Sequence, residues 1–196
     1  MAHYFDYDPN QQLEYNTFTF FYYGRELVFE TCSGVFSKDS IDAFSLLMVS
    51  TSDEHPVSGK VLDLGCGYGA VGILLKIRDP KIDLYQSDVN PLAVELTIEN
   101  CRINDVESNV ICSDGYERID SSFDWVFFNP PIRAGNAVIH KLFDETKQRL
   151  NPNGKFMLVM QRKHGAASLL ATLQTMYNDV TQIHKKNGVY VVVCSA

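Results

Sequence analysis

Asn129-Pro130-Pro131-Ile132 sets an amide side chain and two prolines directly behind the apolar run Trp125-Val126-Phe127-Phe128. These residue types suit transfer of a group to an exocyclic amino nitrogen. Such a nitrogen is a poor nucleophile, because its lone pair is delocalised into the attached ring or carbonyl. It carries two N–H donors and so wants two acceptors. The Asn129 side-chain oxygen and the Pro130 carbonyl can supply them. Proline fixes the direction of a carbonyl without adding a competing N–H. Positioning of this kind supplies several kcal/mol, within the roughly 7–11 kcal/mol available from orientation. Neither a metal nor a strong general base is needed.

A second constellation lies upstream. Val61-Leu62-Asp63-Leu64-Gly65-Cys66-Gly67-Tyr68-Gly69 runs from an apolar strand toward a helix. Glycines at such a turn let the backbone bend tightly and approach a ligand closely. A helix N-terminus adds unpaired N–H groups and partial positive charge. The GxGxG spacing is neither the GxGxxG dinucleotide fingerprint nor the phosphate-binding GxxxxGK[ST] loop. Asp88 ends the next strand, 25 positions beyond Asp63, where a carboxylate can accept both hydroxyls of a ribose. Ser113-Asp114-Gly115 follows the third strand and is either a plain turn or a contact to a nucleobase amino group.

The elements that must position these residues alternate in type. Strands are predicted at Val61–Leu64, Ile82–Gln86, Val110–Cys112, Trp125–Phe128 and Phe156–Met160, with a last β-rich segment at Val189–Cys194. Helices are predicted at Ala70–Ile77, Pro91–Asn104, Asn136–Leu150 and Gly165–Tyr177. Asn90 before Pro91 suits a helix cap followed by a first-turn proline. Asn151-Pro152-Asn153-Gly154 stops the fourth helix before the Phe156 strand. Unalternating apolar strands separated by helices imply a parallel sheet covered on both faces. Ahead of it, Thr17–Tyr23 and Glu26–Cys32 flank Gly24-Arg25 as a β-hairpin, and Asp39–Ser50 carries a helical stripe at Ile41, Phe44, Leu47 and Met48. The expected fold is Rossmann-like and doubly wound: a mostly parallel seven-stranded sheet with an antiparallel last strand, plus an N-terminal hairpin and helix. We read residues 1–196 as one domain, with 1–56 as the extension and 57–196 as the core.

The Asp63–Gly69 segment resembles the first motif of class I S-adenosylmethionine-dependent methyltransferases. That likeness implies that Asp63 helps hold the methionine amino group, that Gly65, Cys66, Gly67 and Gly69 cradle the cofactor, and that Asp88 with Val89 meets its nucleoside. Asp114 and Gly115 would then border the adenine. Asn129-Pro130-Pro131-Ile132 resembles the [DN]PP[YFW] motif of amino-methyltransferases, which implies catalytic roles for these four residues and places Asn129 beside the cofactor as well. Ile132 departs from the pattern, which puts an aromatic ring against the target base. An isoleucine keeps a flat apolar contact but reduces stacking worth roughly 1–3 kcal/mol per base, and Phe36 is a candidate replacement. Gly34-Val35-Phe36-Ser37-Lys38-Asp39, the two motifs, Arg162-Lys163-His164-Gly165-Ala166 and Gly188-Val189-Tyr190 together resemble the small-domain family of ribosomal RNA guanine-N2 methyltransferases. By that likeness Phe36, Lys38 and Asp39 line the cofactor end of the site, although Lys38-Asp39 equally suits a solvated helix start capped by Asp39. The implied partner is ribosomal RNA or a ribosomal subunit.

Composition narrows the alternatives. At 45% hydrophobic and 21% charged residues, the 196-residue chain reads as an ordinary globular protein, with no apolar run near the ~20 residues of a membrane span. Five scattered cysteines without CxxC spacing indicate neither a disulfide framework nor a metal site. With no signal-peptide pattern at Met1-Ala2-His3-Tyr4, the expected location is cytoplasmic. A net charge of −7 opposes general nucleic-acid affinity, so an RNA substrate has to be met by a local patch, the densest basic groups being Arg162-Lys163-His164 and Lys185-Lys186. A protein glutamine amide methyltransferase uses the same Asn-Pro-Pro logic but normally carries Tyr after the prolines and a helical N-terminal domain. A non-catalytic cofactor-binding module and, more weakly, a nicotinamide dehydrogenase complete the readings.

Overall fold

Strand β3 (Lys60–Leu64) lies near the middle of a seven-stranded sheet, and its side chains alternate between two apolar layers. From one edge inward the order is β5 (Asn109–Cys112), β4 (Asp83–Asp88) and β3; beyond β3 come β6 (Phe123–Phe128), β7 (Leu150–Gln161), β9 (Val189–Ser195) and β8 (Asp179–Lys186). The β5–β4, β4–β3, β3–β6 and β6–β7 pairs are parallel. β9 runs antiparallel to both of its neighbours. The computed structural model describes residues 13–131 and 134–196.

Period-two alternation sorts the strands onto two faces. Val61, Trp125, Phe127, Met157, Val159 and Val191 face one layer, which holds α1 (Ala43–Thr51), α2 (Ala70–Arg78) and α3 (Pro91–Ile103). Leu62, Val126, Phe128, Phe156, Leu158 and Val192 face the other, which holds α4 (Asn136–Gln148) and α5 (Ala166–Met176). Asp63 therefore points toward α2, where the Gly72 N–H donates to its Oδ2 at 2.9 Å. As expected from Asn90-Pro91, the Asn90 side chain accepts from the Leu92 N–H to start α3.

The hairpin of β1 (Tyr15–Tyr22) and β2 (Arg25–Cys32) turns at Tyr23 and Gly24, with φ of 48° and 75°, one position earlier than Gly24-Arg25. Two positive φ values give the backbone twist that a two-residue hairpin turn needs. The free edge of β2 is closed by side chains of α3. Asn104 accepts from the Val28 N–H and donates to its carbonyl, and Asn100 does the same at Glu30. The edge strand is thereby joined to the core without a third strand.

Three departures from expectation have a clear physical reason. Helix α1 starts at Ala43 rather than Asp39, because Asp42 caps it through the Phe44 and Ser45 N–H groups. β7 begins at Leu150, and Asn151-Pro152-Asn153-Gly154 forms an irregularity inside it, with pairing jumping from Phe123↔Leu150 to Trp125↔Lys155. β8 was not anticipated as a separate strand: Asp-Val-Thr-Gln-Ile-His-Lys-Lys is polar and sits at the sheet edge.

Candidate functional site

The carboxyl ends of β3, β4 and β6 meet at the point where successive strands leave β3 in opposite directions, which is where open α/β sheets hold ligands. Behind β3, Gly65, Gly67 and Gly69 have φ of 68°, 59° and 89°, values that penalise any residue with a Cβ. A Cβ on Gly67 would meet nothing within 4 Å, and one on Gly65 only the Phe128 ring at 3.8 Å. Their need is for the turn and for an open approach. Gly69 differs: a Cβ there would stand 2.9 Å from Thr97, so it is packed against α3. Cys66 is buried, and burial pushes its thiol well above the ordinary range, which leaves it inert as a nucleophile.

Two carboxylates frame this turn. Asp63 is 3% exposed, and burial pushes its carboxyl up to about 7, opposed by hydrogen bonds from Gly72 and Gln86. It braces the start of α2 from inside the fold. Asp88 is half-buried at the end of β4, and burial raises its pKa despite donation from the Asn90 N–H to Oδ1 and from the Gly67 N–H to Oδ2, each at 2.9 Å. Each oxygen keeps lone pairs for a further donor. Val89 beside it is an apolar side chain left exposed. Asp114 is exposed in the turn after β5, and Gly115 packs against Leu142 and Glu145 with φ of 53°. An open glycine cradle, a carboxylate with spare lone pairs and an exposed apolar residue next to it fit a nucleoside carrying an amino-acid tail.

The loop between β2 and α1 closes the crevice from the hairpin side. Its Gly34 carbonyl accepts from Asn90 Nδ2 at 3.4 Å, and its Ser40 carbonyl accepts from the Tyr68 hydroxyl at 3.2 Å. Phe36 is 53% exposed on this loop. Lys38 is partly exposed, and its carbonyl accepts from Asn16 Nδ2, while Asp39 is exposed and does not cap α1.

Asn129 follows β6 at the same edge, half-buried, with Pro130 buried and Pro131 partly exposed behind it. Its Nδ2 donates to Asp42 Oδ2 at 3.1 Å and contacts Ser45 Oγ at 3.0 Å. A carboxylate oxygen that already takes two backbone N–H groups can only accept, so the nitrogen of the amide must face it. Among the described residues no hydrogen bond uses Asn129 Oδ1. Asp42 and Ser45 were missed from sequence: a helix cap and a first-turn serine carry no signal that they reach a residue more than 80 positions away. Asn129 and Pro130 line a small pocket together with Phe44, Gln161 and His164, whose buried Nδ1 has no partner among the described residues. Ile132 lies outside the described residues, as does its expected contact to an acceptor base. Also among the described residues, no helix is long and apolar enough to cross a membrane and no cluster of three or more His, Cys, Asp or Glu could hold a metal ion.

A doubly wound sheet with this glycine turn, an acid closing the next strand and an Asn-Pro-Pro loop on the same edge defines the class of S-adenosylmethionine-dependent methyltransferases. The chain belongs to the methyltransferase small domain family, whose model matches residues 26–193. It is 34% identical over 193 residues to the uncharacterised protein YbxB of Bacillus subtilis, covering 97% of this chain and 96% of that one. It is 34% identical over 142 residues to ribosomal RNA small subunit methyltransferase C of Photorhabdus laumondii, covering 70% of this chain and 42% of the relative. Among solved structures it is similar to the T. thermophilus 16S rRNA N2 G1207 methyltransferase RsmC in complex with AdoMet and guanosine. The TM-score there is 0.83 with 25% identity, over 96% of this chain and 52% of that one. The chain thus spans about half the length, or less, of those ribosomal RNA methyltransferases.

Proposed function

We propose that this chain methylates an exocyclic amino nitrogen of ribosomal RNA, namely guanine N2, with Asn129 and Pro130 as the groups that grip the acceptor. The observation that carries this reading is the commitment of the Asn129 amide nitrogen to Asp42 and Ser45, which reserves its oxygen as an acceptor in the pocket beside Pro130. Likeness to a relative bound to guanosine supports the choice of base.

Asp88 would hold the cofactor's ribose, the Gly65–Gly67 turn its amino-acid portion, and Val89 and Asp114 its adenine. Asp63 would act through α2, and Phe36, Lys38 and Asp39 would close the crevice from above. The cofactor supplies an electrophilic methyl group on a sulfonium. The protein's own part is orientation. Asn129 Oδ1 and the Pro130 carbonyl accept the two amino hydrogens and turn the nitrogen lone pair out of conjugation. Pro131 keeps the Pro130 carbonyl fixed without an N–H of its own. The amine's surplus proton passes to water, so no basic side chain is required.

The test is transfer of tritiated methyl from S-adenosylmethionine to undermethylated small ribosomal subunits or to release factors, followed by nucleoside mass spectrometry. N2-methylguanosine in RNA is the expected product, and label on a glutamine would replace the RNA reading with a protein acceptor. Asn129→Ala should lower turnover about 100-fold or more. Unimpaired turnover would show that the amide does not grip the acceptor.

A further inference from the structure

The net charge of −7 is not spread evenly. Residues 151–196 hold five lysines and arginines and one acid, Asp179, a balance of +4, while residues 1–150 carry −11. Four of those five cations fall into two sequence clusters that the fold joins. Arg162 and Lys163 follow the end of β7, and Lys185 and Lys186 close β8. Because β8 runs parallel to β7 with β9 between them, both ends reach the same edge of the sheet. The Arg162 N–H donates to the Gly188 carbonyl at 2.7 Å, so the β8–β9 turn abuts the Arg162 turn directly.

All four side chains belong to exposed residues, and no ion pair among the described residues uses any of them. Asp179 pairs with Ser195 at the far end of β8, seven residues and about 20 Å away, beyond a Debye length of roughly 8 Å. Tyr190, partly exposed, lies under Lys185 Nζ at 5.6 Å and adds an aromatic face. Gln161 and His164, which flank Arg162 and Lys163 in the chain, line the pocket beside Asn129 and Pro130, so the cluster lies next to it.

We infer that Arg162, Lys163, Lys185 and Lys186 form the docking surface for the phosphate backbone that flanks the target nucleotide. This rests on the RNA reading above and supplies what a −7 protein otherwise lacks: a confined, unpaired cationic strip at the mouth of the site. Backbone contacts of this kind fix register and orientation, and the pocket is left to select the base.

The test uses the triple variant Lys163→Ala/Lys185→Ala/Lys186→Ala in the full chain, with unmodified in vitro transcribed 16S ribosomal RNA as probe. RNA affinity at low salt should fall about tenfold or more. The slope of log K against log salt should flatten by about 2 for three lost contacts to a single strand. Affinity for S-adenosylmethionine, read by calorimetry, should not change. The matching Lys→Arg triple variant should restore both RNA affinity and slope. Wild-type affinity and slope in the alanine variant would overturn the docking surface while leaving the RNA reading intact. Failure of the wild-type protein to bind or methylate RNA, with label on release factors instead, would overturn both.

Discussion

An amide can serve an amino acceptor in only one of its two orientations, and at Asn129 the choice is made by neighbours distant in sequence. Asp42 and Ser45 take the nitrogen, at 3.1 and 3.0 Å. Asp42→Ser keeps a good helix cap but is too short to reach Asn129. It should lower kcat about tenfold with KM for the cofactor and thermal stability nearly unchanged, whereas loss of stability without loss of kcat would reduce Asp42 to a cap. Ser45→Ala should act in the same direction by a few-fold. Asn129 stood out in the sequence as a candidate because an amide before two prolines has few structural uses. Its supports were not, since each is an ordinary residue whose reach is set only by how α1 lies across β6. Asp63 gives a second prediction. Its folded carboxyl, pushed up to about 7 by burial, binds a proton more tightly than in the unfolded chain, near 3.8. This group therefore lowers stability as pH rises from about 4 to 7, by on the order of 4 kcal/mol at most. Urea unfolding at pH 5 and pH 7.5 should show a smaller pH-dependent loss for Asp63→Asn than for the wild type.

At the scale of elements, β3, β6, β7 and β9 were readable because each carries a largely apolar run bounded by turn residues. Helix starts were readable where a cap had its usual chemistry, as at Asn90. β8 was not, because an edge strand with one face in water needs little apolar pattern. The true start of α1 was obscured because Asp39 and Asp42 are both plausible caps, and only the fold brings Asp42 to the helix N–H groups. The attachment of the hairpin was equally hidden. Nothing in Asn100 or Asn104 announces that two amides one helical turn apart substitute for a neighbouring strand. Asn100 is fully buried, accepts from the Glu30 N–H, and donates to the carbonyls of Glu30 and Tyr68. Asn100→Ala takes a hydrogen-bond partner from each of these groups and should cost roughly 2–4 kcal/mol in chemical denaturation. Hydrogen exchange of the Val28 and Glu30 amides should speed up more than that of β3. Equal acceleration throughout would mean that the hairpin unfolds only with the core.

For the whole molecule, the sequence conveyed cofactor chemistry better than acceptor choice. Glycine spacing and a following acid are local patterns, whereas the cationic strip exists only once β7 and β8 reach one edge. The loop from Ser33 to Asp42 touches both halves of the site: Tyr68 of the glycine turn holds Ser40, and Asp42 at the loop's end holds Asn129. Ten residues of backbone therefore link the glycine turn to Asn129 mechanically, and on the proposed reading these are the donor and acceptor sides. Occupancy of one side should be felt at the other, and thermodynamic reciprocity requires the two effects to be equal. Calorimetric titration of S-adenosylmethionine with and without guanosine, and the reverse, should give the same affinity ratio, several-fold above one. Tyr68→Phe, which removes the hydroxyl that holds Ser40, should bring that ratio toward one. An unchanged ratio would mean that the two substrates bind as strangers.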